Sequence, residues 1–501
     1  MTSKRKPAAS AAIPNQPTWV DVNELKERRE TLSLRDYQKT HLARFFAEER
    51  KMDLSHPGTG KTCPAAVYMY GLWASEGIKS IWAMPKSLLV KNWEELLLWS
   101  NFMPDDVVIF DGNPKQRDKQ MATDAKVFLM GFDAFARNWR QLLECHPQIQ
   151  SLVVDEWHLG FSTHGWMYRG KVHGAKRTLE MYQAMRRIPW FLPMTGTLID
   201  GRLNSAYPAI NVIEPRYYGT YDNFMATHAL LDDYGKPWLW KNHEHLAQIL
   251  MKHSVRVTFE DAYGAENKQV FVELCTMSPA QRRAYAEMEE TALLELEDGF
   301  IEAGTPAVAV MRCRQIMQHP ETFGIPMNSG DTKPDHLRVH IQSALDANKA
   351  LVIFEVTREA QNQIVALAES LGAKVGLLNG TVTGNARAKA DSEFRSRFLD
   401  VMVCSPEVAG VGFNWSHVDT LIFNSIDYQD SSFIQAYRRA LRGKRDTPLK
   451  IYVLQYRNSI DQRIAHIANS KSKDRTKVFK DDTQVHIVQS NSMMGGDFMS
   501  G

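Results

Sequence analysis

Short apolar runs, each bounded by turn residues, recur in two series along the chain, and this pattern constrains the fold more than any other feature. The first series is Ser80–Met84, Val127–Phe132, Leu152–Val154 and Trp190–Met194. The second is Leu351–Phe354, Lys374–Leu378, Val401–Cys404, Thr420–Phe423 and Lys450–Leu454. Continuous runs of this length suit strands buried on both faces of a parallel sheet. Helical patterns such as Ser87–Trp99 and Arg358–Leu371 separate them, which argues for βαβ units. Two series predict two α/β lobes, over residues 19–255 and 331–475, joined by a helical junction at 256–330 that includes the helix-forming stretch Ala280–Gln318. Residues 1–18, rich in Ala, Pro, Ser and Lys, read as a disordered tail, with a charged helix (ELKERRETL) after it. Residues 476–501 read as a flexible tail.

Charge and cysteine usage exclude several classes. Sixty basic residues stand against 58 acidic ones, so no global field marks a nucleic-acid binder and any such site must be a local patch. The five cysteines (Cys63, Cys145, Cys275, Cys313 and Cys404) form no CxxC pair, which suggests neither a disulfide framework nor a zinc site and points to a reducing interior. The sequence shows no apolar run of membrane-spanning length and no apolar core of a signal peptide. The expectation is a soluble, intracellular protein without membrane partners.

The strongest chemical signal is Ser55-His-Pro-Gly-Thr-Gly-Lys-Thr62. A glycine-rich loop that opens a helix points backbone N–H groups at phosphate oxygens. Gly58 and Gly60 permit the tight backbone and Thr59 lies between them. Lys61 would reach the terminal phosphates, and the Thr62 hydroxyl would ligate Mg²⁺. Ser55 stands where the full pattern has its first glycine. The partner signal is Leu152-Val-Val-Asp-Glu-Trp-His158, an apolar strand ending in two carboxylates at a sheet edge where α/β folds bind ligands. Asp155 would hold Mg²⁺ and Glu156 would orient or deprotonate the attacking water. An Asp-Glu pair alone reads equally as a solvated strand end; its place after the phosphate loop makes it specific.

Together these segments resemble superfamily 2 helicases and translocases, with a DExH-like box that here reads DEWH. More narrowly, the chain is similar to the Swi/Snf-type DNA-dependent ATPases over roughly Leu34 to Ile467. The resemblance implies two RecA-like parallel-sheet lobes with an ATP cleft between them and a helical insertion. Leu34-Arg-Asp-Tyr-Gln38 resembles the adenine-recognition motif, in which the Gln38 amide would read the base edge. Trp82–Leu89, with Asn92-Trp93, resembles a segment that touches the nucleic-acid backbone, so Lys86 and Ser87 are the phosphate contacts it implies. Thr195-Gly-Thr197 resembles the third motif, which couples ATP state to the nucleic-acid groove and places Thr195 among the nucleic-acid contacts. The chain departs from the family by continuing Leu198-Ile-Asp-Gly201.

Met311–Pro320 resembles the "LRqicnHP" helix, where His319 reads as a packed helix-end residue rather than a metal ligand or acid-base group. Ser329–Lys333 resembles the entry to lobe two, and Leu378–Arg387 with Phe394 another of its signatures. Ser405–Asn414 resembles motif five: Ser405 would touch the strand backbone, Gly410 and Gly412 allow close approach, and Gly412 groups with the nucleotide-binding residues. Gln435–Lys444 resembles the sixth motif. Arg439 and Arg442, three apart and so expected on one helix face, would neutralise charge on the γ-phosphate; the bland alternative is a solvated basic helix.

The resemblance therefore implies an ATP hydrolase using ATP and Mg²⁺. It would be a DNA helicase or translocase that couples hydrolysis to movement along DNA, duplex favoured and single strand or RNA as alternatives, in repair, recombination or replication. Two other readings remain: a strand-separating DNA or RNA helicase, and an ATP-switched protein that binds DNA or a partner with little turnover. The insertion Gly160–Arg177, rich in Gly, His and basic residues, is a candidate nucleic-acid contact or a surface excursion. Size suggests a compact bacterial or viral motor, placed in the bacterial cytoplasm or the cytoplasm of a host. Protein partners cannot be named from any motif in the tails.

Overall fold

The computed structural model describes residues 27, 29–199, 202–297, 305–327, 330–382, 384–409, 412–427 and 430–479. The expected N-terminal tail, residues 24–26 and 28 of the charged ELKERRETL segment, and residues 480–501 lie outside the described residues; residues 27, 29 and 30 are helical, as are residues 476–479. The described residues divide into two compact units that part between Thr258 and Phe259. No helix among them is long and apolar enough to cross a membrane.

The first unit is built on an all-parallel sheet. Its early elements are helix α1 (Asp36–Ala47), the two-residue strand β1 (Met52–Asp53), helix α2 (Thr62–Glu76), strand β2 (Lys79–Met84) and helix α3 (Leu89–Trp99). Strands β3 (Val107–Phe110), β4 (Val127–Gly131), β5 (Ile149–Val154) and β8 (Trp190–Pro193) complete the sheet in the order β3-β4-β2-β5-β8. β1 adds to its β8 side through parallel bridges of Arg50 to Phe191 and Asp53 to Met194. The central strands are buried on both faces, with Ile81, Leu129, Val153 and Leu192 no more than 1% exposed, as the continuous apolar runs require. After β5 comes a single helical turn, α4 (Trp157–Gly160), and then an antiparallel hairpin of β6 (Gly165–Tyr168) and β7 (Lys171–Gly174). A second hairpin, β9 (Ala229–Leu231) with β10 (Pro237–Trp240), follows helix α5 (Tyr221–His228), and the two-residue strand β11 (Ser254–Val255) pairs in parallel with β1.

The second unit has its own six-stranded parallel sheet in the order β12-β17-β16-β13-β15-β14. The strands are β12 (Lys268–Cys275), β13 (Leu351–Phe354), β14 (Val375–Leu378), β15 (Val401–Cys404), β16 (Thr420–Phe423) and β17 (Leu449–Tyr456). Helices α6 (Pro279–Glu297), α7 (Thr305–Gln318), α8 (Lys333–Asp346), α9 (Arg358–Ser370), α10 (Asp430–Tyr437) and α11 (Ile460–Phe479) belong to the same unit.

The segment expected as a helical junction differs in the structure. It opens with β12, an edge strand of the second sheet paired in register with β17 along eight residues. Burial along its first five residues, Lys268–Val272, alternates between half-buried and exposed, as an edge strand with one wet face does. The following helices supply Tyr285, Cys313, Ile316 and Met317 to the second unit's core.

Candidate active site

The phosphate loop leaves β1 and enters α2. Gly58 and Gly60 have φ of 87° and 81°, a left-handed backbone that side-chain-bearing residues adopt at a cost of roughly 1–2 kcal/mol. A Cβ on Gly60 would lie 2.8 Å from Gln38 Nε2, so space as well as torsion demands glycine there. Ser55 does not have a positive φ. Its hydroxyl accepts from the Val257 backbone N–H at 3.2 Å, giving the side chain at this departure a structural partner. The loop is closed on itself. Thr59 Oγ1 donates to the His56 carbonyl at 2.8 Å, and Lys61 Nζ donates to the carbonyls of Ser55 at 2.9 Å and His56 at 3.2 Å. Thr62, the first residue of α2, is half-buried.

Helix α1 docks on this loop through its first turn. Tyr37 donates its hydroxyl to the Thr59 carbonyl at 2.6 Å. Gln38 is buried; its Oε1 accepts from the Arg35 N–H at 2.9 Å while its Nε2 donates to the Gly60 carbonyl at 3.0 Å. The amide expected to read adenine serves in this structure as a brace between the helix start and the loop.

The two carboxylates follow β5 directly. Asp155 is 7% exposed; its Oδ2 accepts from Asn92 Nδ2 and its Oδ1 from the Glu156 N–H, both at 3.0 Å. Burial, and after it the adjacent Glu156 charge, push the Asp155 carboxyl up to about 6, against the pull of Asn92 and Lys61. Glu156 has φ 48°, a left-handed conformation uncommon for a residue with a side chain. His158 Nδ1 lies 2.8 Å from Thr195 Oγ1 and 3.6 Å from Glu156 Oε2, and the Thr197 N–H donates to Thr195 Oγ1 at 3.0 Å. A Cβ on Gly196 would meet Pro57 Cδ at 2.4 Å, so the Thr195–Thr197 turn packs directly on the phosphate loop. The structure therefore brings together Gln38, the loop, Asp155, Glu156 and Thr195.

Thr195 is 1% exposed with its hydroxyl on His158, which makes it an internal link and not a group presented to a polymer. Lys86 and Ser87 are exposed, just beyond β2, where Lys86 pairs with Asp111 at 2.9 Å. Asn92, which the motif names only beside Trp93, gains here a role at Asp155 that the motif does not give it. Its signal was a polar side chain on the apolar face of α3 beside Trp93 and Leu96.

In the second unit the helix expected to carry Arg439 and Arg442 ends at Tyr437. Arg438 to Ala440 form turns and Arg442 lies beyond them, so a shared helix face is corrected to a turn. Arg439 is 6% exposed, its carbonyl accepting from the Trp415 N–H at 2.8 Å; Arg442 Nη2 donates to the Phe413 carbonyl at 3.0 Å. Arg438, which the sequence did not single out, is buried, ion-paired with Glu266 and set 4.9 Å from the Phe259 ring centroid. Gly412 has φ 94°, and Ser405 is half-buried directly after β15. Gly410 lies outside the described residues. His319 is buried at the end of α7, its Nδ1 3.2 Å from Thr322 Oγ1.

The strand ends of this unit hold a polar network that no motif announced. Lys333 Nζ pairs with Asp461 at 2.7 Å and donates to the Asn424 carbonyl at 2.6 Å. Asn424 Nδ2 donates to Glu355 Oε2 at 2.7 Å, and Asn379 Nδ2 to Gln361 Oε1 at 3.1 Å. Lys333, Glu355 and Gln361 are each no more than 1% exposed.

Fold and site define a two-unit parallel α/β protein in which a glycine-rich loop at a helix N-terminus faces paired carboxylates. Residues 37–322 match the SNF2-related domain and residues 332–444 the helicase conserved C-terminal domain. The chain belongs to the SNF2-related family. Among similar proteins, the chromodomain-helicase-DNA-binding protein 1-like of Danio rerio is 22% identical over 473 residues, covering 88% of this chain and 43% of that one. The ATP-dependent helicase brm of Drosophila melanogaster is 23% identical over 416 residues, 75% of this chain and 24% of its own. The chain spans less than half the length of these relatives. The Sulfolobus solfataricus SWI2/SNF2 ATPase core in complex with dsDNA matches at 18% identity and a TM-score of 0.39, covering 86% of this chain and 90% of that one.

Proposed function

We propose that this chain is a DNA-stimulated ATPase that couples hydrolysis to translocation along duplex DNA. The observation that supports it best is the packed assembly of the Lys61 loop, the Asp155–Glu156 pair and the His158–Thr195 link in one unit. A protein that only switched on ATP binding would not require a water-activating carboxylate beside the phosphate loop.

In this reading Lys61 exchanges the Ser55 and His56 carbonyls for the terminal phosphates of ATP. The backbone between Gly58 and Lys61 receives the other phosphate oxygens. Thr62 and Asp155 suit a magnesium ion, being a hydroxyl and a carboxylate of hard oxygen character, and Asp155 is a buried acid whose burial penalty a cation would relieve. Bound there, the metal would neutralise charge on the phosphates. Glu156 orients the attacking water and accepts its proton. Gln38 recognises adenine once its amide leaves the Gly60 carbonyl. Arg439 and Arg442 neutralise charge developing on the γ-phosphate, and Gly412 lets the backbone come close. Lys86, Ser87 and Ser405 contact phosphates of the polymer, which gives strong salt dependence and little sequence preference. The DNA-binding title of the Danio rerio relative favours DNA as the polymer.

The test is steady-state ATP hydrolysis with no polymer, duplex DNA, single-stranded DNA and RNA, with Lys61→Ala and Glu156→Gln as controls. Strong stimulation by duplex, lost in both variants, supports the motor. Tight ATP binding without turnover on any polymer would overturn it.

A further inference from the structure

The β6–β7 hairpin projects two exposed aromatic rings, Trp166 and Tyr168, for which the ATPase chemistry has no use. Its root is fixed. Gly165 pairs with Gly174, and a Cβ on either would lie 2.2 Å from the Ala175 carbonyl oxygen or 2.1 Å from that of His164. Its two-residue turn has Arg169 at φ 47° and Gly170 at φ 72°, the left-handed pair that tight hairpins need. The strand register places Trp166 opposite His173 and Tyr168 opposite Lys171 on one face, with Met167 and Val172 on the other.

On that face the rings form a column. Trp166 stacks between His164 and His173 with centroids 5.6 Å away on each side and planes within 13° and 16°. Tyr221 of α5 continues the column on His164 at 4.6 Å and 17°. Trp166 and Tyr168 nevertheless remain 45% and 56% exposed. The chain from Ser162 to Arg177 carries Arg169, Lys171, Lys176 and Arg177 and no acidic residue. Arg169 sits 5.2 Å from the Tyr168 ring centroid, and Arg177 pairs with Asp133.

We propose that this hairpin is a stacking site for the unpaired bases of single-stranded DNA, with its basic residues meeting the adjoining phosphates. Two exposed rings interleaved with cations, Trp166 in the column and Tyr168 turned 63° from the plane of His173, match a strand whose bases offer π-faces and whose backbone is anionic. The other exposed hairpin of the same unit shows the contrast. β9–β10 also presents aromatics, Tyr234 at 89% and Trp238 at 65%, but it carries Asp232 and Asp233 at its turn, which repel phosphate. A single-strand site beside a duplex-tracking motor fits substrates where duplex and single strand meet. The proposal rests on the proposed function only for the choice of DNA as the polymer.

The test is fluorescence anisotropy without nucleotide, comparing a blunt duplex with the same duplex bearing an oligothymidine tail. Trp166→Ala and Tyr168→Ala should each weaken binding of the tailed duplex by about tenfold, the order of one lost base–aromatic stack, and leave the blunt duplex within about twofold. Trp166→Phe should keep most of the affinity. Tyr168 lies next to the turn, so its variant reports even if Trp166→Ala disturbs the hairpin. Equal losses on both substrates, or no loss on the tailed one, would overturn the proposal. Because binding is read without turnover, a wild-type protein that hydrolyses no ATP with any polymer would defeat the motor and leave this result interpretable.

Discussion

The two parallel sheets end differently. At the carboxyl ends of the first sheet, the charged groups can be exchanged: Lys61 rests on loop carbonyls, and Asp155 is a carboxyl held up to about 6 by burial. At the carboxyl ends of the second, they are locked: Lys333 pairs with Asp461 and Asn424 donates to Glu355 inside the core. One architecture thus supports an edge poised for a ligand and an edge that holds its own helices in place. The difference lies in whether each polar group already has its final partner, which is why function has to be argued from the site and not from the fold.

The strongest way to sharpen this comparison is Glu156→Gln. It should lower polymer-stimulated hydrolysis by about 10²–10⁴-fold, as loss of a general base does, with ATP binding and thermal stability nearly unchanged. Phosphate-release assays beside nucleotide titration check it. On the locked edge the large effect falls on stability. Lys333→Met leaves Asp461 buried without its cation and should cost about 3–5 kcal/mol by denaturant unfolding, while Lys333→Met with Asp461→Leu should recover most of that. If the single variant unfolded like wild type, the distinction between the two edges would collapse.

Gly60→Ala comes next. Its positive φ and the 2.8 Å approach to Gln38 should cost about 1–2 kcal/mol and weaken ATP binding. Gly235→Ala, also left-handed at φ 76° but with nothing within 4 Å of its Cβ, should cost stability alone. Comparing the two by unfolding and nucleotide titration separates torsion from crowding.

The smallest effect is on pH dependence. The native Asp155 carboxyl is pushed above its ordinary value of 3.8 to about 6, so between these values the folded protein holds the proton that the unfolded chain has released. Its contribution to stability is therefore present below the lower value and is lost as pH rises through about 6. Asp155→Asn should flatten the pH–stability curve between these limits. In the wild type, magnesium-dependent ATP binding should weaken as pH falls below about 6, since the ion needs the ionised carboxylate. Calorimetry across this window reads both.

The strands buried on both faces were legible because such strands are nearly pure apolar runs; β13, β15 and β16 coincide with the expected segments. Val107–Phe110 is also wholly buried, but it stands directly after Asp105-Asp106 and before Asp111, which masks it as a strand. β12 is hidden because its mixed sequence, Lys268–Cys275, is neither a pure apolar run nor a strict alternation and sits beside a long helix-forming stretch. The loop and the two carboxylates were legible as local motifs, since phosphate chemistry fixes residue types at short spacing. The partners that tune them were not. Asn92 reaches Asp155 and His158 reaches Thr195 across the fold, and nothing near either residue in the chain names the partner, although a polar side chain on the apolar face of α3 marks Asn92 as unusual. The arginine turn was misread as helix because no glycine interrupts the pattern before Gly443. What ends the helix is tertiary: Arg438 turns inward to Glu266.

The Lys61 ammonium held by its own loop has a selective consequence. Any arriving anion competes with two carbonyl bonds that are already made. In the function proposed above, a single phosphate would offer little beyond what it displaces, whereas a triphosphate would also engage the loop backbone. The latch would then set a threshold on ligand charge, which a chain of phosphates would pass and small anions would not.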